Sequence, residues 1–520
     1  MRLLPLLLLT ACRPDADTAP DDTAPPAPGA PDEARLLAHV ETLASEEYGG
    51  REAGTPGGEL AASYVEGHFD GLGLQGAGDE GGFRQLFTLQ RFVVQAPATL
   101  ALDGQALAEP EDFQLFAWSG SGEVEAAAVF VGYGLTVPPF DPEEYPGCPI
   151  DPAGYDDYAG LDLGGQVALV MRHGPSDDED VNDLCPVNEA GLQDGELLTF
   201  GYKAANAALH GASAMLLFTD YAHSLAPAEP GTLGEGYYQP DFPAFFADRG
   251  VLEAHLPELP TWAEATPAPV QTGMQVALTA ATGVEPVEVP NLLAEIPGDG
   301  TTTEVVVVGA HFDHLGISPS GEVYYGADDN ASGTAVMLEL AELFAAWGVQ
   351  PRRSIVFAAF NAEELGLIGS MHYLLDPPHP LEDTVAMLNL DMVGGGDERG
   401  VIDFGGLDPG SEWLYDLLLA HQDEDFPVTP LSSNPNSDHA FFQYAGVPVA
   451  FLFTVGAHAP YHSPEDTFDT VSGWELTQTA RLSWDTLRVL AMAEETPEAA
   501  HALPAVAGPS RPPEPGRITR

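Results

Sequence analysis

Apolar and polar residues follow three different rhythms along this chain. Between residues 34 and 75, Leu36, Leu37, Val40 and Leu43 recur at the spacing of one helix face, and Leu60, Tyr64 and Phe69 repeat it. Two helices are predicted there, separated by the turn-forming run Gly49-Gly50-Arg51-Glu52-Ala53-Gly54-Thr55-Pro56-Gly57-Gly58. From 95 to about 285 the pattern breaks into short apolar runs at 127–132, 166–171 and 214–218, divided by Pro, Gly and Asp. A single helical stretch, 203–211, precedes the last run, and the whole predicts a small β-rich unit with its own core. From 286 onward, apolar runs at 304–310, 354–360, 385–390 and 448–453 alternate with helical patterns at 332–346, 363–375, 411–422, 437–445 and 474–492. Strands that are apolar throughout, interleaved with helices, are buried on both faces. The expected fold is therefore α/β: a three-layer sandwich with a mixed, mainly parallel central sheet covered by helices on both faces, plus a smaller β-rich inserted domain.

A chain of 520 residues exceeds one ordinary core. The expected division is a signal peptide at 1–12, a tether at 13–33, an N-terminal helical part at 34–95, the insertion at 96–285, the main α/β unit at 286–495 and a disordered tail at 496–520. The formal net charge of −63, with Lys203 as the sole lysine, argues against a nucleic-acid or anionic-lipid partner. The opening Met1-Arg2 with its Leu-rich run is a short secretion-type segment, too short to span a bilayer. Leu9-Thr10-Ala11-Cys12 resembles the bacterial lipoprotein cleavage box. Cys12 is then the lipidated first residue, membrane contact is through that anchor alone, and the expected location is the cell envelope or outside the cell. Cys148 and Cys185 remain as a disulfide candidate in an exported protein, with two buried thiols as the alternative.

Metal-type side chains gather where the strands of the last unit should stop. His311 ends Val-Val-Val-Val-Gly-Ala-His, Asp329 sits in Gly326-Ala-Asp-Asp-Asn-Ala-Ser-Gly333, Glu363 and Glu364 follow Asn361-Ala362, and Asp391 follows Leu388-Asn-Leu. Tyr461-His462 completes the set. In open α/β sheets the C-terminal strand edge is where ligands bind. Each residue has an ordinary reading by itself. Asp328 and Asp329 are able to cap a helix, Asn361 with Glu364 fits a capping box, and His462 suits a surface loop. Asp391 is harder to dismiss, because a carboxylate ending a buried strand wants a cation. Together, two imidazoles and three carboxylates can hold two divalent ions if one carboxylate bridges, which leaves Glu363 free to move protons. Asp313, two residues beyond His311, is placed to receive the second imidazole N–H. The remaining histidines, including His314, His439 and His458, read as structural or surface. There is no His-Glu-x-x-His and no Gly-x-Ser-x-Gly, which removes one-helix zincins and the usual serine hydrolases.

In order, Ala310-His311-Phe-Asp313-His314-Leu-Gly316, Tyr325-Gly-Ala-Asp-Asp329-Asn-Ala-Ser-Gly333, Phe360-Asn-Ala-Glu363-Glu364-x-Gly366-x-x-Gly369-Ser370, Asn389-x-Asp391-Met392, Ser437-Asp438-His439-x-x-Phe442 and Tyr461-His462-x-x-x-Asp466 resemble the M28 family of di-zinc peptidases. Gly50-Arg51-x-x-Gly54-Thr-x-Gly57 resembles that family's leading segment, and the insertion is similar, more weakly, to a protease-associated domain. The resemblance implies two Zn2+, with Mn2+ or Co2+ as possible substitutes. It assigns His311 and Asp391 to one ion, Glu364 and His462 to the other, and Asp329 as the bridge, followed by a cis peptide to Asn330. It also implies Glu363 as general base and Tyr461 as donor to the developing oxyanion. The leading expectation is an aminopeptidase acting on peptides. A carboxypeptidase of the same fold, a mono-zinc glutaminyl cyclase and a non-catalytic binding ectodomain are the alternatives. Whether the chain is a monomer or a homodimer is not written in these motifs.

Overall fold

A computed structural model describes residues 29–116, 118–141, 148, 151–161, 163–174, 199–221, 239–264, 269–318, 321–396, 398–433, 435–456, 458 and 461–494. The expected signal peptide, most of the tether, Cys12, Cys185 and the tail lie outside these residues, while Cys148 is disulfide-bonded. No helix among the described residues is long and apolar enough to cross a membrane.

The uninterrupted apolar runs beyond residue 300 become neighbouring strands. Val305–His311 lies parallel between Ser354–Phe360 and Thr384–Leu390, and Thr384–Leu390 continues parallel to Val449–Thr454. Val401–Phe404 joins Val449–Thr454 antiparallel and carries Val428–Leu431 as the edge. On the other side Val270–Ile296 closes on Ser354–Phe360, again antiparallel. This is the mixed, mainly parallel α/β sheet expected from the sequence.

Alternate residues of each strand feed different cores. Val306, Val308 and Ala310 pack with the helices Glu33–Leu43, Pro56–Gly71, Gly333–Trp347 and Gly473–Met492. Val307, with Val356 and Met387, faces Tyr373 and Phe442 from Ile368–Leu375 and His439–Tyr444. Period-two side chains in a sheet sandwiched by helices leave no face for solvent. The two N-terminal helices start where caps permit: Asp32 accepts from the amides of Ala34 and Arg35, and Thr55 accepts from Gly58 just ahead of Pro56.

The region between the N-terminal helices and the main sheet is more than β-rich. Gly122–Phe130, Val167–Met171, Ala214–Phe218 and Ala244–Ala247 lie side by side and parallel, with the helix Phe200–Leu209 crossing from the second to the third. Its cores divide by strand parity as well: Leu169, Leu216 and Phe218 on one face, Ala168, Val170, Met215 and Leu217 on the other. This unit hangs on a ribbon of two long strands, Arg84–Leu102 and Val270–Ile296, paired from Leu292 opposite Arg84 to Val276 opposite Leu102. Positions 95/96 and 285/286 fall inside those two strands.

The only lysine pins this inserted unit. Lys203 is fully buried, and its Nζ donates to the carbonyls of Tyr133 (2.6 Å), Met171 (3.0 Å) and His173 (2.7 Å). Burial pushes its pKa down to about 7, against Asp157 and Asp220, which favour the charge. Three carbonyls use all three N–H bonds, which only the protonated amine supplies. Lys203→Met removes the ammonium donor from three carbonyls, that of Met171 fully buried, and is expected to cost on the order of 3 kcal/mol. A urea midpoint equal to wild type would show that the pin is dispensable.

Candidate metal centre

Three strand ends and two loops converge on one buried pocket. His311 is the last residue of Val305–His311, and the Thr334 hydroxyl donates to its carbonyl oxygen (2.7 Å), tying the strand end to the helix Gly333–Trp347. The segment Ala327–Ser332 brings in Asp328 and Asp329, with a cis peptide between Asp329 and Asn330. The Asn330 side chain sews this segment to the neighbouring strand end. Its Nδ2 donates to the Leu390 carbonyl (2.9 Å), and its Oδ1 accepts from the amides of Gly333 (2.9 Å) and Met392 (3.2 Å). Asp391 is thereby held beside Asp329.

Glu363 and Glu364 arrive differently from expectation. The sequence suggests a helix over 363–375 capped by Asn361, but the helix is Ile368–Leu375. Ala362 (φ 57°), Gly366 (φ 101°) and Leu367 (φ 60°) are left-handed, so residues 362–367 form a turn. The Asn361 Oδ1 accepts from its neighbour Ala362 rather than from the Glu364 amide. Asp313 orders this turn: its carboxylate accepts from the amides of Glu363 (3.2 Å) and Glu364 (3.4 Å). Its expected role toward His311 is looser, with Nδ1 lying 3.3 Å from the Asp313 carbonyl oxygen and 3.6 Å from Oδ1.

All five expected ligands meet, and Asp329 stands between two nests. Its Oδ1 is 3.4 Å from His311 Nε2, which is also 3.4 Å from Asp391 Oδ1. Its Oδ2 is 3.3 Å from His462 Nε2, which is 3.0 Å from Glu364 Oε2. Glu363 Oε2 lies 4.0 Å from His311 Nε2, on the first nest. Potential ligand atoms of His311, Glu363 and Asp391 lie within 4.8 Å of one another, as do those of His314, Asp329 and Glu364. Tyr461 is largely exposed, its ring stacked on His462 with centroids 3.6 Å apart.

The electrostatics of the pocket favour a cation. Asp329 Oδ2, Asp391 Oδ1 and His462 Nε2 are buried atoms without a hydrogen-bond partner. Burial works against charging any of these groups, and they compensate through each other. Glu363 and Asp391 raise the His311 pKa well above its ordinary value, while His311 and His462 hold Asp329 well below the usual carboxylate range. Glu363 is pushed well above that range, first by burial and then by Glu364, Asp391 and Asp438, with His311 opposing. Buried carboxylates in such numbers are stabilised by hydrogen bonds or bound cations, and the donor set of imidazole and carboxylate fits divalent zinc in both nests.

Four participants escaped the sequence reading. His314, read there as structural or surface, is buried with Nδ1 2.7 Å from Glu364 Oε1 and 3.7 Å from Asp329 Oδ2. His458 is likewise drawn in: it pairs with Asp328 through Nδ1 and meets the Thr454 carbonyl through Nε2 (2.9 Å). Asp466 accepts from the amides of Asp328 (2.9 Å) and Asp329 (3.0 Å), and Arg51 reaches the same segment from the N-terminal region. The Gly50-Arg51, Asp313-His314 and Tyr461-His462-x-x-x-Asp466 motifs contained three of these. Nothing in their spacing states that the contacts close across so much of the chain.

Comparison with known proteins agrees with this architecture. Residues 291–487 match the family described as Peptidase family M28. "Aminopeptidase" of Pseudomonas aeruginosa is 28% identical over 443 residues, 81% of this chain and 69% of that protein. "Aminopeptidase YwaD" of Bacillus subtilis is 35% identical over 187 residues, 34% of this chain, so the chain spans only 39% of that relative's length. Among solved structures, "Aminopeptidase from Aneurinibacillus sp. strain AM-1" superposes with a TM-score of 0.63 at 23% identity, covering 93% of this chain and 98% of the other. A zinc aminopeptidase from Bacillus subtilis gives 0.62 at 21% identity, covering 89% and 96%. Sheet order, the matched segment and the residues gathered at the strand ends point the same way: residues 291–487 match peptidase family M28, and the chain shares the fold of solved aminopeptidases.

Proposed function

We propose that the chain is a zinc-dependent exopeptidase that removes N-terminal residues from peptides with the help of two metal ions. The observation that carries this is the split of Asp329, one oxygen toward His311 and Asp391 and the other toward His462 and Glu364. A carboxylate so shared is what a pair of cations needs. When bound, the ions supply Lewis-acid polarisation of the scissile carbonyl and make a water acidic enough to attack near neutral pH.

The protein's own groups do the rest. Glu363 takes the proton of the attacking water and returns it to the leaving amine, and its burial favours a carboxyl that holds protons avidly. Tyr461 offers its hydroxyl to the oxyanion as the carbonyl carbon becomes tetrahedral, its ring steadied on His462. Asp313 keeps Glu363 and Glu364 in register through their amides. The aminopeptidase names of the Pseudomonas and Bacillus relatives favour cleavage from the amino end over the carboxypeptidase reading. Export as a lipoprotein through Cys12, and a protease-associated character for the insertion, belong to the same proposal.

A panel of aminoacyl-nitroanilides, assayed with and without a chelator, tests it. Hydrolysis that disappears on chelation and returns with zinc is expected. Release of free amino acid only from N-blocked peptides would instead identify a carboxypeptidase. One zinc per chain with cyclisation of N-terminal glutamine would identify a glutaminyl cyclase, and no turnover with any substrate would leave a binding ectodomain.

A further inference from the structure

Arg51 lies well ahead of the segment matched by the family, yet it is one of the largest side chains that are fully buried. Its guanidinium is spent on main-chain carbonyls. Nε donates to Phe312 (2.8 Å), Nη1 to Leu43 (2.8 Å) and Tyr325 (2.7 Å), and Nη2 to Gly326 (2.7 Å). Phe312 follows His311, and Tyr325-Gly326 lead directly into Asp328-Asp329. One planar cation therefore ties the strand end just past His311 to the segment that carries Asp329.

The approach of residues 49–51 to those loops is built in. Gly50 accepts from the Gly316 amide through its carbonyl (3.0 Å), and a Cβ on Gly50 would fall 2.3 Å from the Gly316 oxygen and 2.5 Å from the Tyr324 oxygen. Gly50 at φ 69° and Arg51 at φ 53° turn the chain so that the guanidinium points inward. Asp466 meets the same loop, also buried, accepting from the amides of Asp328 and Asp329.

We propose that Arg51 and Asp466 form a charge-matched clamp that positions Asp329 between its two nests. The cation takes the carbonyl ends of the Tyr325–Asp329 segment, and the anion takes its amide ends. Each end of the segment's peptide dipoles meets the opposite charge, and the clamp adds no net charge to a pocket already crowded with carboxylates. Both are positioning residues: neither is a ligand, and neither reaches the reacting atoms. The inference rests on the two-metal peptidase reading above and extends it to a residue outside the matched segment.

Arg51→Lys keeps the charge but replaces a five-donor fork by one ammonium, which cannot span four carbonyls. Asp466→Asn keeps the shape but leaves one acceptor oxygen for two amides. Each full-length variant is to be measured for zinc affinity by competition with a chromogenic chelator, and for the thermal midpoint of its metal-free form. Zinc binding weaker by about 10–100-fold is expected in both, as for other residues that orient ligands. In Asp466→Asn the metal-free midpoint should stay near wild type. A lower metal-free midpoint with wild-type zinc affinity would make the pair merely structural and overturn the clamp; if Arg51→Lys does not fold, Asp466→Asn alone decides. The wild type keeps the two questions apart. A wild-type chain that takes up no zinc overturns the metal reading and the clamp together, whereas zinc-binding wild type beside variants of equal affinity overturns the clamp alone.

Discussion

Glu363→Gln is expected to retain its metal and lose turnover by about 10²–10⁴-fold, the usual worth of a positioned general base. The amide keeps the size of the side chain and removes its capacity to take a proton. His311, Asp329, Glu364, Asp391 and His462 make the contacts that define the two nests without Glu363, whose Oε2 lies 4.0 Å from His311 Nε2. Zinc content by elemental analysis should match wild type, and KM should move little while kcat collapses. Wild-type turnover in this variant would transfer the base to another residue. Loss of zinc along with activity would make Glu363 a ligand, which its closeness to His311 and Asp391 in one cluster keeps as a live outcome.

The opposite pattern is expected for Asp329→Asn. Here the metal should leave first. An amide has one oxygen to give, so it cannot serve both His311 with Asp391 and His462 with Glu364. Zinc content should fall to about one ion per chain or fewer, and hydrolysis should fall at least as far as in Glu363→Gln. The metal-free fold is also touched, because Asp329 is the buried counter-charge of His311 and His462. Retention of two tightly held ions would show that the bridge lies elsewhere. The two variants thus separate proton transfer from metal assembly, one keeping the ions without the chemistry and the other losing both.

What could be read beforehand followed from burial. Val305–His311, Ser354–Phe360 and Thr384–Leu390 are apolar nearly throughout because the sheet has helices on both faces, and that pattern survives without any knowledge of the partners. The ligands were legible for a related reason: a carboxylate or imidazole just after such a run must sit at the sheet edge. The turn at Glu363 and Glu364 was not. The Asn361–Glu364 spacing suits a helix cap, but a left-handed Ala362 is a backbone property that an alanine does not announce. His314 was missed because its partner Glu364 is fifty residues away. In the insertion, the runs at Val167–Met171 and Ala214–Phe218 read as β-structure. Their parallel pairing depends on the helix Phe200–Leu209 crossing between them, which short runs among Pro and Gly do not specify.

The ribbon formed by Arg84–Leu102 and Val270–Ile296 has a consequence for how such a chain is assembled. Departure and return occur on adjacent strands, Arg84 opposite Leu292, so the long excursion closes where it opened. The host sheet then needs no rethreading whether the guest is present, shortened or exchanged. Modules joined through a shared hairpin stem can be traded between hosts as cassettes, and the hydrogen-bonded stem keeps the junction stiff where a pair of flexible linkers would let the guest swing.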